Sequence, residues 1–346
     1  MRDMRGTLLA MAVIGASACG APAFEPAPVN DAPADYYYTF EPLPQDYAMG
    51  EQALAPRRVE LGRMLFFEPR LSASKELSCS SCHDLARYGA DGRRVAIGHD
   101  GQAGTRNAPT VYNTAGYIAQ FWDGRSPDVE DQAGHPILNP VEMAAASEEE
   151  VVTVLRSIPQ YVNLFEAAFP DQSPAVTYKT MTSAIGAFER RLVTPGRFDA
   201  FLRGDAAALS AIERAGFHRF VELGCAGCHN GPELGGHSFE KLGNLVEWPV
   251  STDLGRYDVT SRPEDRMRFR VPGLRNVAET APYYHDGSIA TLGDAVALMA
   301  KHQLGKTLSH EDHRSIVAFL RALSGRIPTK LIAKPTLPGY ETEVEQ

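Results

Sequence analysis

The 346-residue chain has few cysteines, no long apolar run, no clustered basic face and little strand-like alternation. Each shortage excludes a class of protein. Five cysteines are far too few for a disulfide scaffold at this length. The one conspicuous apolar stretch, Leu8 to Ala18, stops well short of the roughly 20 residues a spanning helix needs, which excludes a multi-pass membrane protein. A formal charge of −9 without a Lys/Arg cluster excludes a nucleic-acid-binding face. Disorder is excluded as well, because 44% of the residues are hydrophobic against 22% charged, and the length suits two domains of ordinary size.

At the N-terminus, Arg2 and Arg5 precede the apolar stretch, and Cys19 and a Pro/Ala-rich segment follow it. That is the layout of a secretory signal. Ala16-Ser17-Ala18-Cys19 also resembles a bacterial lipobox, whose cysteine carries a lipid anchor, so plain cleavage and lipidation at Cys19 both stand. On either reading the mature protein is exported, to the periplasm, and residues 1–35 are leader and tether outside the fold.

The other four cysteines fall into two pairs of identical spacing inside an internal repeat. The first copy runs from a helix with apolar Val59, Leu61, Met64 and Leu65 through Cys79-Ser80-Ser81-Cys82-His83 to Arg106-Asn107 and Asp123-Gly124. The second has Ile212, Phe217, Phe220 and Val221 on a helix, then Cys225-Ala226-Gly227-Cys228-His229, Arg275-Asn276 and Asp286-Gly287. A Ser210/Glu213 capping pair marks the second helix, and Ser147 with Glu150 starts another between the copies. Gly- and Pro-rich stretches at 89–109 and 231–272 read as loops wrapped around something. A helical pattern stops at Thr194-Pro195-Gly196, which predicts a mainly α protein with domains at 36–195 and 196–325.

Cys-x-x-Cys-His has a specific chemical use: the thiols add to the vinyl groups of haem, and the adjacent histidine becomes the proximal iron ligand. A four-cysteine zinc site would leave both histidines unexplained, and a thioredoxin-like pair would need a βαβ pattern that is absent. Two covalent haem c groups are therefore expected, on Cys79, Cys82 and His83 and on Cys225, Cys228 and His229. The second axial face separates them. Thirteen residues past Asp286 stands Met299, on a helical stretch from Leu292 to His302, whereas thirteen past Asp123 stands Pro136, which cannot ligate iron. A thioether favours ferrous iron and raises the potential, so the C-terminal haem reads as an electron store and the N-terminal one as open to a small molecule. Packing in a core is the plainer use of a helical methionine, and Met267, in the charged stretch 262–270, is a rival ligand.

Gly98-His99, Arg106-Asn107-Ala108-Pro109-Thr110, Phe121-Trp122-Asp123-Gly124-Arg125, Asn139-Pro140-Val141-Glu142-Met143 and Leu274-Arg275-Asn276 through His285-Asp286-Gly287 together resemble the bacterial di-haem cytochrome c peroxidases. The similarity runs over about residues 61–323. It implies two cytochrome c-like, mainly α domains, with segment 326–346 packing back on the first. It also implies reduction of hydrogen peroxide with electrons from a small donor protein, a cytochrome c or a cupredoxin, and a homodimer. Two other readings remain: a related di-haem oxidase acting on an organic or protein substrate, and a di-haem electron carrier without catalysis. The tryptophan-modifying sister group carries tyrosine where Met299 stands, and Glu142 with Pro136 argues against a mere carrier.

The resemblance also implies residue roles. His99, in the glycine-flanked stretch 97–101, matches the histidine that caps the N-terminal iron in the resting enzyme. Glu142 matches the catalytic glutamate, a carboxyl that takes a proton from the bound oxygen and delivers it to the departing one. Gln132 and Pro136 match positions lining that distal site, and Trp122 matches the tryptophan between the haems. A calcium ion between the domains would be held by the Asn107 side chain and the backbone carbonyls of Thr280 and Pro282, with waters completing its oxygen shell. Trp248 has no matching role.

Overall fold

The structure, a computed structural model, describes residues 39–48, 54–249 and 252–340, so the signal and Cys19 lie outside the described residues. The fold is mainly helical. Six helices precede the 194–196 turn: α1 (Pro56–Phe66), α2 (Cys79–Cys82), α3 (Val129–Leu138), α4 (Glu148–Arg156), α5 (Pro159–Ala168) and α6 (Tyr178–Glu189). After it come α7 (Arg197–Leu202), α8 (Ala211–Glu222), α9 (Tyr257–Thr260), α10 (Leu292–Leu304), α11 (His310–Ala322) and α12 (Thr329–Ile332). The named strands among the described residues, β1 (Phe239–Lys241) and β2 (Arg268–Arg270), form one antiparallel pair inside the long 231–272 loop. The caps follow the side chains: Ser147 Oγ accepts from the Glu150 N–H at 3.1 Å, and Ser210 and Glu213 form a reciprocal capping box.

Each half closes over its own apolar cluster. Leu61, Phe66, Leu155, Phe165 and Phe188 centre the first, and Phe198, Phe217, Phe220, Ile316 and Phe319 the second. The helix crossings at their centres are the same device used twice. On α1, Gly62 lies so close to α6 that an added Cβ would stand 1.8 Å from the Ala184 carbonyl oxygen. On α8, a Cβ at Gly216 would stand 1.9 Å from the Ser315 carbonyl oxygen on α11. Only glycine permits backbones to approach this closely.

The repeat extends through the loops, with one change of partner. Left-handed backbone recurs at Asn113 and Asn276 (φ 62° and 61°), at Phe121 and Tyr284 and at Gly124 and Gly287, and the bridge Gln120↔Ser126 recurs as Tyr283↔Ile289. The structural counterpart of Asn276 is therefore Asn113, not the Asn107 that the sequence repeat pairs with it. The Arg-Asn dipeptide misleads because it recurs at a different distance from Asp-Gly, whereas the left-handed position selects asparagine in both halves. Both asparagines donate to Thr194 Oγ1, at 2.9 and 2.8 Å, so the residue between the halves ties the two copies together. Beyond α11, Ile327, Leu331 and Ile332 pack on the first cluster, and the Arg70 guanidinium holds the chain end through the Pro338 carbonyl at 2.7 Å and the Tyr340 ring at 4.6 Å.

Candidate functional site

Both Cys-x-x-Cys-His segments fold as a single tight turn. Ser78 and Ser81 box the start of α2, and Gly224, at φ 100°, opens the equivalent turn at Cys225–Gly227. The peptide N–H groups of His83 and His229 close them on the carbonyls of Cys79 and Cys225, at 2.9 and 3.0 Å. None of these four cysteines is in a disulfide, and burial pushes the Cys79 thiol up to about 12 and those of Cys82 and Cys225 up to about 11. Such thiols are poor redox nucleophiles. Among the described residues no group of three or more His, Cys, Asp or Glu could hold a bare metal ion.

The two histidines are held alike. The Nδ1–H of His83 donates to the Gly89 carbonyl and that of His229 to the Leu234 carbonyl, both at 3.2 Å. A carbonyl can only accept, so this bond fixes the tautomer and leaves Nε2 with a lone pair for a metal. Burial keeps both rings neutral, lowering His83 and bringing His229 down to about 4.

Each histidine faces its own cavity. The first, about 1040 Å³, is lined by Cys79, Cys82 and His83 together with Gln132, Pro136 and Glu142. The second, about 200 Å³, is lined by Cys225, Cys228, His229 and Met299. Met267 lines neither. Well-packed interiors do not leave such spaces, and a thiol pair beside a neutral imidazole on the wall of each fits a covalently attached haem. Gln132 and Pro136 lie on α3 and Met299 on α10, the corresponding helices of the two halves, so Pro136 occupies the position that Met299 holds in the other copy.

Glu142 is positioned by the turn that ends α3. Its N–H bonds the Asn139 carbonyl at 3.0 Å, and the Asn139 Nδ2 donates back to Glu142 Oε1 at 2.9 Å. Burial pushes the carboxyl above the ordinary range, against the opposing pull of Arg125, Asn139 and His135. Arg125 is itself anchored on Asp123 at 2.9 Å. Arg106 adds a clamp between the halves, bonding Asp123 at 2.5 Å and the Asp253 carboxylate at 2.6 and 2.7 Å. Sequence reasoning passed over both arginines as site residues, although each stands inside a quoted motif.

Trp122 lines both cavities, and its indole N–H donates to the Asn107 carbonyl at 3.0 Å. Trp248 also borders the first cavity, packed between Tyr284 and His302 with ring centroids 4.8 Å from each. His99 is not brought into either cavity: its Nε2 lies 3.4 Å from Asp100 Oδ2, and its neighbour Gly98 forms the wall instead. At the calcium position the Asn107 Nδ2 donates to the Arg93 carbonyl at 2.9 Å, which leaves Oδ1 as the atom able to face a cation. The Asn107 N–H reaches across to the His285 carbonyl at 2.8 Å, three residues past Pro282. No helix among the described residues is long and apolar enough to cross a membrane.

Comparisons with known proteins identify the family. The family model described as di-haem cytochrome c peroxidase matches residues 56–207. The cytochrome c551 peroxidase of Pseudomonas aeruginosa is 45% identical over 87% of this chain and 88% of its own length. That of Nitrosomonas europaea is 46% identical over 78% of this chain and 80% of its own. Among solved structures, a MauG-like protein associated with microbial copper homeostasis superposes with a TM-score of 0.73 at 30% identity, covering 89% of this chain and 99% of that one. With these relatives matched along most of its length, the chain belongs to the di-haem cytochrome c peroxidase family and is an enzyme of the peroxidase class.

Proposed function

We propose that the chain is an exported di-haem peroxidase that reduces hydrogen peroxide to two waters, using two protons and two electrons delivered by a small cytochrome or cupredoxin. Haem held at Cys225, Cys228 and His229 would take up the electrons, and haem held at Cys79, Cys82 and His83 would use them. One observation carries this reading: His229 shares its cavity with Met299, whereas His83 shares its cavity with Glu142 and Pro136. Haem c bound at each Cys pair would supply the iron that takes up electrons and, in the first cavity, binds peroxide.

The chain's residues then divide the work. His83 and His229 offer neutral imidazole nitrogens, and Met299 offers the thioether that favours the reduced state. Glu142, as its carboxylate, accepts the proton of one peroxide oxygen and returns it to the other. Asn139 and Arg125 favour that ionised form, and Gln132 has amide donors for peroxide or water. Trp122 places a polarisable ring in the wall between the haem sites. His99, which lies outside the first cavity here, would be the group that moves in to cap that site in the resting enzyme, with Gly98 and Gly101 as flexible flanks. The Asn107 side chain and the backbone carbonyls of Thr280 and Pro282 would hold calcium across the same interface. Domains at 36–195 and 196–325, a homodimer, and cleavage or lipidation at Cys19 belong to this reading.

The experiment is reduction of the purified holoenzyme by one electron, followed by peroxide and a reduced cytochrome. One high-spin haem with steady turnover is expected. Two low-spin, inert haems would overturn the reading.

A further inference from the structure

Two polar groups in the wall between the cavities lack the partner that their burial calls for. Trp122, Arg270 and His285 each line both cavities. The indole N–H of Trp122 is committed to Asn107. The Arg270 guanidinium has hydrogen-bond partners but no counter-charge. Arg270 is 2% exposed, donates to the carbonyls of Phe121 at 3.2 Å and Val271 at 3.4 Å, and meets Tyr117 through its hydroxyl and across its ring at 4.2 Å, all of them neutral groups. It meets no carboxylate among the described residues, in contrast to Arg106 with its two aspartates.

His285 occupies in its half the place that Trp122 holds in the other, each directly preceding Asp-Gly. It is 3% exposed, and its ring is fixed by stacking on Phe269 at 4.2 Å and 25°. Its Nε2 is buried without a hydrogen-bond partner. The Asp253 carboxylate stands 4.0 Å from that nitrogen, beyond hydrogen-bonding distance, and is bonded twice by Arg106. A buried cation without a counter-charge and a buried imidazole without a partner are both costly. Their occurrence together points to an acid that the polypeptide does not supply. Peroxide is neutral at physiological pH and does not meet that need, whereas haem carries two propionate carboxylates.

We propose that Arg270 and His285 form a carboxylate-binding pair that holds haem propionate in the wall beside Trp122. The inference rests on the two-haem reading above. A guanidinium fork and an imidazole N–H both suit a carboxylate, and a cation held there favours the ferrous state, which carries one positive charge fewer than the ferric.

The test compares haem-loaded Arg270→Gln, Arg270→Lys and His285→Leu with the parent by resonance Raman spectroscopy of the propionate bending bands and by redox titration of each haem. Arg270→Gln is expected to shift a propionate band and lower one midpoint potential, and Arg270→Lys to restore the potential. His285→Leu is expected to shift a propionate band. The haem whose bands move identifies which cavity supplies the carboxylate. Bands and potentials unchanged in both Arg270→Gln and His285→Leu would overturn the pair, and where Arg270→Gln does not accumulate, His285→Leu alone decides. Haem content separates the two claims: a ratio other than two per chain overturns the two-haem reading, whereas two haems with unmoved bands overturn only the pair.

Discussion

The peptide N–H of His99 donates to the carbonyl oxygen of Glu142 at 2.8 Å. Beside it, Gly98 lies so close to the same turn that an added Cβ would stand 2.0 Å from the Val141 carbonyl oxygen and 2.7 Å from Glu142 Cα. The loop proposed to gate the site and the carboxyl proposed to do its chemistry are thus packed backbone to backbone, and displacing one displaces the other.

Gly98→Ala tests this packing directly. The methyl group must push the Glu142 turn away, and a shift of about 1 Å in a catalytic group can lower turnover about a hundredfold. We expect a kcat/KM loss of that order with both haems still bound, and a stability loss of about 1–3 kcal/mol from overpacking. Unchanged kinetics would show that the turn is not held by this contact.

Glu142→Gln should lower turnover by a factor of roughly 10²–10⁴, the usual contribution of a positioned acid–base group, and leave the haem absorption spectra in place. The pH dependence follows from the raised carboxyl. Because burial favours the protonated form, kcat/KM should fall as pH drops through a pKa above the ordinary glutamate value. Asn139→Ala removes a hydrogen bond to the ionised form and should move that acid limb to higher pH. A pH–rate profile that keeps its acid limb in Glu142→Gln would assign the proton transfer elsewhere.

Much of this site was legible in the sequence because its chemistry is local. Cys-x-x-Cys-His needs five consecutive residues, and the contrast of Met299 with Pro136 needs only a count from Asp-Gly, which holds because α3 and α10 occupy the same place in the two copies. The Ser147 and Ser210 caps were legible for the same reason. What was not legible depends on distant residues meeting. Arg106 clamps Asp253, 147 positions away, and Arg270 and His285 stand out only because one is a buried cation facing no carboxylate and the other a buried imidazole whose Nε2 has no partner. The match of Asn113 with Asn276 was hidden because it is a backbone conformation, φ near 60°, and not a shared motif.

His99→Gly should remove the need for reductive activation. If the imidazole caps the first site in the oxidised enzyme, the variant should show a high-spin haem when fully oxidised and turn over peroxide without a preceding reduction step. A fully oxidised variant with the low-spin spectrum of its parent would mean that another group provides the cap.

Glu189, the last residue of α6, lies in the wall of the first cavity, and burial, then the charge of Glu130, pushes its carboxyl from 4.5 up to about 8, with Arg190 opposing. The folded protein therefore keeps a proton that the unfolded chain releases. With this sign the burial penalty is absent below about pH 4.5 and full above about 8, so stability falls as pH rises between them. Glu189→Gln abolishes the titration, and its melting temperature relative to the parent should climb from pH 5 to pH 9 in the holoenzyme. A difference that stays flat across this range would show that the carboxyl ionises at its ordinary pH.

The assignment of Met299 as the sixth ligand is tested by a pair of variants, since one methionine shares the cavity of His229 and the other does not. Met299→Ala places a strong helix former in the middle of α10, so the helix should persist while the thioether is lost. Loss of that ligand should lower the midpoint potential of the C-terminal haem and open its axial face, which a high-spin marker in the reduced spectrum would report. Met267→Ala, in the loop before β2, should leave both properties unchanged. Met299→His distinguishes ligation from packing, because an imidazole in the same place restores a six-coordinate, low-spin haem at a lower potential than the thioether gives. A potential that falls in Met267→Ala and holds in Met299→Ala would transfer the ligand to the loop, and with it the electron-storing role that separates the two haems.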